Sequence, residues 1–297
     1  MPGRRVHEVV VPTGPGRSPD IKPIGTGEWV RFMLYSFPGW GKTSIEGTSA
    51  AYGKTLIIRS SADLMPARIL NMPNLDQVTV DTHEAMDDIL DYCRMTQNFP
   101  YKWVWWDNIS TAQDVLLDDV WEATIAEKPG RNYQLDSSGR STGRPNLTPT
   151  SGLDRGEYGR NAGRIERWVR AMVGCNRFHF GIGAHPAELQ HPTNDEGGTI
   201  LAPWVQVKNM PSKICGYCNL VGFLALEESS SETWRRLHFR ENQRFYAKDL
   251  FDAFEPNGFM DKPDMPRIMA KIEAAQAGRR EGVSTTTTPR RGRRRSG

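Results

Sequence analysis

The sequence predicts an α/β fold in which a mostly parallel central sheet is covered by helices on both faces. Segments with strand character alternate with helical patterns along the chain, and this order is typical of parallel sheets. The run Trp103–Trp106 is apolar at every position, as is usual for a strand that is buried on both faces. With 297 residues the chain is long enough to bury a substantial core.

Composition predicts a globular protein without a membrane-spanning helix. Hydrophobic residues make up 38% and charged residues 25% of the chain, which is ordinary for a globular protein. No apolar run approaches the ~20 residues of a membrane-spanning helix, so we expect no membrane partner. The N-terminus lacks the apolar core of a secretory signal, and four cysteines do not suggest a disulfide framework. These features predict a cytoplasmic protein.

Charge divides the chain into three predicted regions. Residues 279–297 carry seven arginines and one glutamate, a net charge of +6, so the other 278 residues sum to −3. We expect an irregular arm over residues 1–27, a folded body over 28–278 and a disordered basic tail over 279–297. The tail either attracts nucleic-acid phosphates or serves only to balance charge and aid solubility.

The elements of the body follow from hydrophobic periodicity and from turn residues. Strands are predicted at Trp29–Tyr35, Thr55–Ile58, Trp103–Trp106, Phe178–Ile182, Leu220–Leu226 and Trp234–Phe239. Helices are predicted at Lys42–Ala51, Thr82–Thr96, Thr111–Ala126, Gly159–Val173 and Pro263–Ala277. Residues 128–158 and 186–212 show no periodic pattern, and loops of this length are usually functional or disordered.

A glycine-rich turn between the first strand and the first helix is the most specific motif. The segment Ser36-Phe-Pro-Gly-Trp-Gly-Lys-Thr43 matches a phosphate-binding loop, except that a serine stands at its first position. Small residues let consecutive backbone N–H groups face an anion at the start of a helix. Lys42 would then contact the β- and γ-phosphates of a nucleotide, and the Thr43 hydroxyl would hold Mg²⁺. The expected nucleotide-binding residues are Ser36, Pro38, Gly39, Trp40, Gly41, Lys42, Thr43 and Ser44.

Asp107 is the expected second component of this site. It closes the apolar strand Trp103–Trp106, where a carboxylate can hold the shell of a bound metal. An aspartate at a strand end is also common as a helix cap, and Asn108 or Ser110 compete for that role. We expect Lys42 and Asp107 to end adjacent parallel strands and to converge on one nucleotide.

At this point the chain resembles the RecA-like recombination ATPases, in particular the phage-type single-strand annealing proteins that consist of the RecA core alone. The resemblance covers Trp29 to Phe254. It rests on the phosphate-binding loop and, in order, on four weaker motifs: Val104-Trp-Trp-Asp-Asn-Ile109, Tyr158-Gly-Arg-Asn161, Gly183-Ala-His-Pro186 and Tyr246-Ala-Lys-Asp249.

The resemblance implies ATP and Mg²⁺ as cofactors and single-stranded DNA as a partner. It also implies a ring or filament of identical chains, a single-strand-binding protein as a further partner, and action in the cytoplasm of a phage's bacterial host. His185 would sense the γ-phosphate or couple it to the following loop, although a surface histidine before a proline turn is the alternative. Lys248 would reach a neighbouring subunit's nucleotide, although a solvated lysine needs no such role.

One departure from the family concerns the residue that activates the attacking water. RecA-like enzymes place a glutamate after the strand that follows the loop helix, but the nearest carboxylate here is Asp63, and position 108 is Asn. Without a glutamate we expect slow hydrolysis, with Asp63 as the candidate base. Alternatives are another motor, such as a helicase or packaging ATPase, and a nucleotide-regulated DNA-binding protein that does not hydrolyse ATP.

The two long loops lie where the RecA-like core carries its DNA-facing loops. Cations that follow phosphates and aromatics that stack on bases are what single-strand binding requires, although a solvated loop is the simpler alternative. The first loop offers Lys128, Arg131, Arg140, Arg144 and Arg155 with Tyr133 and Tyr158, beside the acidic Asp136, Asp154 and Glu157; the second offers Trp204, Lys208 and Lys213.

The pair Cys215 and Cys218 has the spacing of a redox pair or of half a zinc site. No second cysteine pair accompanies it, and the surrounding residues are apolar. We therefore expect buried thiols.

Deleting residues 279–297 tests the tail. If its arginines bind phosphates, the deletion should flatten the slope of log Kd against log salt concentration for single-stranded DNA, by about 0.7 for each phosphate that the tail neutralises. A full-length variant with those arginines changed to serine is the control for tail length. An unchanged slope in both variants would show that the tail does not bind DNA.

Overall fold

The computed structural model describes residues 29–63, 66, 72–127, 133–135, 137–138, 140–145, 153–190, 198–206 and 209–284. For 133–135, 141, 143–145 and 279–284 only the backbone is described. The predicted arm (1–27) and most of the predicted tail (285–297) lie outside these residues, so both remain predictions.

Thirteen strands and six α-helices occur in the described ranges. The strands are β1 (Arg31–Tyr35), β2 (Thr55–Arg59), β3 (Leu75–Thr79), β4 (Trp103–Trp106), β5 (Tyr133–Leu135), β6 (Ser141–Pro145), β7 (His179–Ala184), β8 (Pro186–Gln190), β9 (Thr199–Pro203), β10 (Leu220–Glu228), β11 (Thr233–His238), β12 (Lys248–Asp249) and β13 (Phe259–Asp261). The helices are α1 (Lys42–Gly47), α2 (His83–Met95), α3 (Ile109–Glu127), α4 (Arg155–Val173), α5 (Met210–Tyr217) and α6 (Met265–Ser284). A 3-10 turn (Thr48–Ala51) extends α1.

One central sheet contains nine of these strands, in the order β13-β11-β10-β1-β7-β4-β2-β3, with β12 also paired to β10. The six strands from β10 to β3 are parallel, and β11, β12 and β13 are antiparallel. The predicted α/β class with a mostly parallel sheet is therefore confirmed.

Helices cover both faces of the sheet, because both faces of its central strands are apolar. Met33 and Tyr35 of β1 pack into a cluster with α2, α3, α4 and α5, whereas Phe32 and Leu34 pack into a second cluster with α1 and α6. The tryptophans of β4 alternate in the same way, with Trp106 in the first cluster and Trp103 and Trp105 in the second. This explains why these strands are apolar at every position.

β1, which leads into the loop before Lys42, and β4, which Asp107 follows, are not adjacent, so that part of the sequence prediction was wrong. β7 lies between β1 and β4 and pairs in parallel with both. Periodicity shows which segments are strands but not their order in the sheet.

Glycine lets β7 occupy this crowded position. A Cβ at Gly181 would lie 2.1 Å from Cε3 of Trp105, so any larger residue would collide with the indole ring. The same ring stacks on Trp103, with centroids 5.2 Å apart and planes at 11°. The bulk of β4 therefore requires a residue without a side chain on its neighbour.

Both predicted long loops contain regular structure. Residues 128–158 include the antiparallel pair β5–β6 and the start of α4, whose first turn is closed by reciprocal hydrogen bonds between Asp154 and Glu157. Residues 186–212 include the hairpin β8–β9 and the start of α5. The β8–β9 hairpin mixes buried, half-buried and exposed residues without a clear alternation, so the sequence pattern missed it.

Other boundaries differ in smaller ways. β3, β12 and β13 were not predicted, and α6 continues to Ser284, so the predicted body–tail boundary at 278 falls inside a helix.

The prediction of buried thiols is confirmed, since Cys215 and Cys218 are unoxidised and only 1% and 2% exposed. Within the described ranges, no helix combines the length and apolar character that crossing a bilayer requires.

Candidate functional site: a phosphate-binding loop beside a buried carboxyl pair

The loop between β1 and α1 has the backbone of a phosphate cradle. Gly39 (φ 79°) and Gly41 (φ 103°) are in the left-handed region, which favours glycine, and Gly41 is the residue from which α1 starts. Gly39 and Pro38 are exposed, whereas Ser36 at the end of β1 is buried. The loop therefore presents its turn to solvent, as nucleotide binding requires.

Two aromatic residues of the loop contact each other. The rings of Phe37 and Trp40 meet edge to face with centroids 4.9 Å apart, and Trp40 also approaches Phe223 of β10 at 6.3 Å. Ser44 lies in the first turn of α1 and is half-buried. All eight residues predicted to bind the nucleotide thus lie between the end of β1 and the first turn of α1.

The Lys42 side chain turns back over the loop. Its Nζ donates a hydrogen bond to the Ser36 carbonyl (3.0 Å) and lies 3.3 Å from Nδ1 of His185. Burial lowers the pKa of Lys42, while the charges of Asp107 and Glu46 oppose that shift. For His185, burial and the neighbouring Lys42 charge lower the pKa.

Thr43 and Asp107 meet directly although a strand separates their parent strands. The Thr43 hydroxyl donates to Oδ2 of Asp107 at 2.5 Å. The competing role of helix cap belongs to Asn108, whose Oδ1 accepts from the N–H of Thr111 at 2.8 Å. Ser110 is also engaged elsewhere, because its hydroxyl accepts from the His185 N–H at 2.9 Å. Asp107 is therefore not used as a helix cap, and its carboxyl is available to the candidate site.

Glu46 is a residue of this site that the sequence analysis missed. A Cβ at Gly183 of β7 would lie 2.8 Å from Oδ1 of Asp107 and 2.8 Å from Oε1 of Glu46, so both carboxyls lie against the same glycine. Glu46 is 0% exposed, and no N–H or O–H group of the described residues donates a hydrogen bond to its oxygens. Its position four residues after Lys42, on the same helix face, was the available signal.

These oxygen donors fit Mg²⁺. The cation prefers carboxylate and hydroxyl oxygens and usually takes only one or two carboxylates from the protein, with phosphates and water completing its shell. Thr43 and Asp107 would hold it, and the buried carboxyl of Glu46 lies beside that of Asp107. No group of three or more His, Cys, Asp or Glu side chains that could hold a metal ion occurs in the described ranges.

Asp63 lies at the edge of the site and is held by two neighbours. Its Oδ1 accepts from Nδ2 of Asn108 at 3.0 Å, and its Oδ2 accepts from the Ser60 hydroxyl at 2.8 Å. Because Asn108 directly follows Asp107, this contact ties the end of β2 to the end of β4. Asp63 is half-buried, so it keeps access to solvent.

His185 links the site to the hairpin β8–β9. It is the residue before β8, and its carbonyl accepts from the N–H of Trp204, just after β9, at 2.7 Å. Tyr35 at the end of β1 anchors the same hairpin through a hydrogen bond to the Leu201 carbonyl (3.1 Å). His185 therefore contacts both Lys42 and this hairpin.

Lys248 makes a contact within its own chain. Its Nζ donates to the carbonyls of Cys218 (2.6 Å) and Cys215 (3.3 Å) at the end of α5. A cation at a helix C-terminus is stabilising there. Contact with a neighbour's nucleotide stays a prediction, and it requires Lys248 to leave these carbonyls.

The structure describes the side chains of only some of the residues that we expect to face DNA. Arg155 and Tyr158 lie on α4, Lys213 on α5 bonds to Glu166 (3.1 Å), and Trp204 is 38% exposed. Arg140 is exposed, and only the backbone of Tyr133 and Arg144 is described. Lys128, Arg131, Asp136 and Lys208 lie outside the described residues.

Comparison with known proteins adds little to this geometry. No protein-family model matches the chain, and no curated protein matches it. A RadB recombinase is similar over 78% of this chain and 86% of its own, at 10% identity and a TM-score of 0.42. A KaiC-like protein from the archaeon Pyrococcus horikoshii OT3 is similar over 79% and 89%, at 14% identity and a TM-score of 0.38. Because both TM-scores are below 0.5, the assignment of the fold depends on the strand order.

Glu46→Gln should change how stability depends on pH. Burial raises the pKa of Glu46 well above its ordinary value of 4.5, and the charge of Asp107 adds to the rise. Below pH 4.5 the folded and unfolded chains both hold the proton. Above it only the folded chain does, so the free energy of unfolding falls as pH rises. Glu46→Gln has no carboxyl to titrate, so its free energy of unfolding does not fall in this way. Relative to the wild type, its free energy of unfolding should rise from pH 4.5 upward, by up to about 1.4 kcal/mol per pH unit.

Urea unfolding between pH 4 and pH 8, in buffer with a metal chelator, measures this difference. Glu122→Gln, at an exposed position of α3, is the control for the removal of one carboxylate. Parallel stability curves for Glu46→Gln and the wild type would contradict the expectation.

Proposed function

We propose that this protein is a RecA-like ATPase that binds Mg-ATP and single-stranded DNA and promotes annealing or strand exchange. The observation that carries the proposal is the 2.5 Å hydrogen bond between Thr43 and Asp107, formed beside the buried Lys42. It brings a phosphate-binding loop and a strand-end carboxylate together at one point. A chance glycine turn has no reason to place these three groups together.

Each side chain has a distinct task in this proposal. The N–H groups of residues 39–43 surround the phosphates, and Lys42 exchanges its contact with the Ser36 carbonyl for one with the β- and γ-phosphates. Thr43 and Asp107 orient the metal shell. Bound Mg²⁺ supplies positive charge that neutralises the phosphates during transfer.

Turnover is expected to be slow. Among the described residues, no glutamate follows β2 or β4 at the edge where the loop lies, and Glu46 is buried without access to solvent. Asp63 is the solvent-accessible carboxylate at this edge, and two hydrogen bonds hold it in place. The same arrangement favours the second candidate, a protein that binds nucleotide as a regulator of DNA binding without hydrolysing it.

The DNA part of the proposal is supported by the position of the hairpin β8–β9. His185 contacts Lys42 on one side and begins the hairpin on the other, and the exposed Trp204 closes it. An exposed aromatic is the type of residue on which bases stack. Occupancy of the phosphate site would thus influence a DNA-contacting surface, and assembly into a ring or filament would repeat that surface along the strand.

Lys42→Ala tests the nucleotide site and its coupling to DNA. We expect ATP turnover to rise when single-stranded DNA is added to the wild type. The variant should lose turnover by about 100-fold or more, because one fixed positive charge at the phosphates is removed. Steady-state phosphate release, with and without single-stranded DNA, measures both effects.

Lys271→Ala is the matched control, since this lysine is exposed on α6. Equal turnover in the wild type and Lys42→Ala would refute the ATPase proposal. ATP that binds but is not hydrolysed, with DNA present or absent, would favour the regulatory candidate. Directional unwinding or translocation would instead indicate a helicase or packaging motor.

Asp63→Asn tests the candidate base. If Asp63 activates the attacking water, kcat should fall by about 100-fold or more, whereas ATP affinity should change little. Asp81→Asn is the control, because Asp81 holds the same segment through the N–H of Ser61 (2.7 Å). Unchanged kcat in Asp63→Asn excludes it as the base.

A further inference from the structure

The antiparallel hairpin β10–β11 extends past the edge of the sheet where the phosphate-binding loop lies. β1 ends at Tyr35, which is paired with Phe223, but β10 continues to Glu228. Leu226 on this extension pairs with Arg235 of β11. The hairpin therefore stands beside the loop and carries Arg235 toward it.

Arg235 contacts the loop directly. Its Nε donates a hydrogen bond of 2.6 Å to the carbonyl of Trp40. A Cβ on Gly41 would lie 2.7 Å from Nε and 3.1 Å from Nη2, so the guanidinium lies flat against the Cα of that glycine. Gly41 is thus required by its positive φ and also by the arginine that packs on it.

The two neighbours of Arg235 on β11 both bond to a carboxylate, and Arg235 does not. Trp234 and Arg236 point to the opposite face, and both donate to the carboxylate of Asp261. Arg235 forms no ion pair with any described residue, and within the same ranges neither Nη1 nor Nη2 makes a hydrogen bond. Because the side chain is half-buried, this charge is only partly solvated.

We propose that Arg235 is a second cation of the phosphate site, supplied by the same chain. Its Nε holds the loop through the Trp40 carbonyl, and its free Nη edge contacts the phosphates of a bound nucleotide. Guanidinium groups suit this role because their planar fork can bond to two phosphate oxygens at once. The inference depends on the proposed nucleotide binding and adds one phosphate-binding residue to it.

Binding of ADP with Mg²⁺, measured by calorimetry across a range of NaCl concentrations, tests the inference. Arg235→Gln retains a donor for the Trp40 carbonyl but lacks the charge, so ADP affinity should fall about 10-fold or more. The salt dependence of Kd should also become flatter. Arg235→Lys should keep the salt dependence of the wild type, because it keeps the charge.

Arg236→Gln is the matched control. It removes an arginine from the same hairpin on the opposite face, so ADP affinity should stay within about 2-fold of the wild type. Equal ADP affinity in the wild type and Arg235→Gln would overturn the inference. A loss of affinity with an unchanged salt dependence would also overturn it, because Arg235 would then act through the packing of the loop and not through its charge.

A measurement on the wild type covers the case in which Arg235 variants do not fold. ADP should slow the modification of Arg235 by phenylglyoxal, read by peptide mass spectrometry, and leave Arg236 unaffected. Equal rates at Arg235 with and without ADP would contradict the proposed contact.

Lys42→Ala separates this inference from the proposed function. If Lys42→Ala loses ADP binding and Arg235→Gln does not, nucleotide binding stands and the Arg235 contact is refuted. If the wild type itself binds neither ADP nor ATP, both are refuted.

Discussion

The hydrogen bond between Thr43 and Asp107 depends on the absence of a side chain on β7. Their parent strands β1 and β4 are separated by β7, so the two residues can meet only across its end. Gly183 at that point leaves the space that the carboxyls of Asp107 and Glu46 occupy. Gly181, two residues earlier on the same strand, leaves space for the Trp105 ring in the same way. A strand with two glycines on alternate positions thus joins the two halves of the site.

The electrostatics of the site follow from burial. Lys42, Glu46 and Asp107 are each no more than 6% exposed, and burial shifts every one of their pKa values toward the neutral form. A cation bound beside Asp107 and Glu46 would stabilise the ionised forms of these carboxyls, which burial disfavours. This coupling is built into the fold, since all three side chains come from α1 and the end of β4.

Two hairpins connect the loop to the outer parts of the molecule. β8–β9 begins at His185, which touches Lys42, and β10–β11 carries Arg235 against Gly41. His185 directly follows β7, and Arg235 lies on the part of the β10–β11 ladder that extends past the end of β1. In the proposed function the first hairpin faces DNA and the second supports the nucleotide.

The sequence alone predicted the α/β class, the glycine-rich turn between β1 and α1, and Lys42, Thr43 and Asp107 as residues of one candidate site. These follow from local signals, namely strand and helix periodicity and a glycine pattern whose chemistry lies within eight residues. It also indicated the buried cysteines, because their neighbours are apolar.

Tertiary structure decided the strand order, which of Asp107, Asn108 and Ser110 caps α3, and the inclusion of Glu46 and Arg235 in the site. Arg235 lies 194 residues after Gly41 in the chain, and nothing in its local sequence distinguishes it from Arg236, which points to the other face. Contacts between residues so far apart are set by how the strands pair, and a residue's neighbours in sequence carry no record of that pairing.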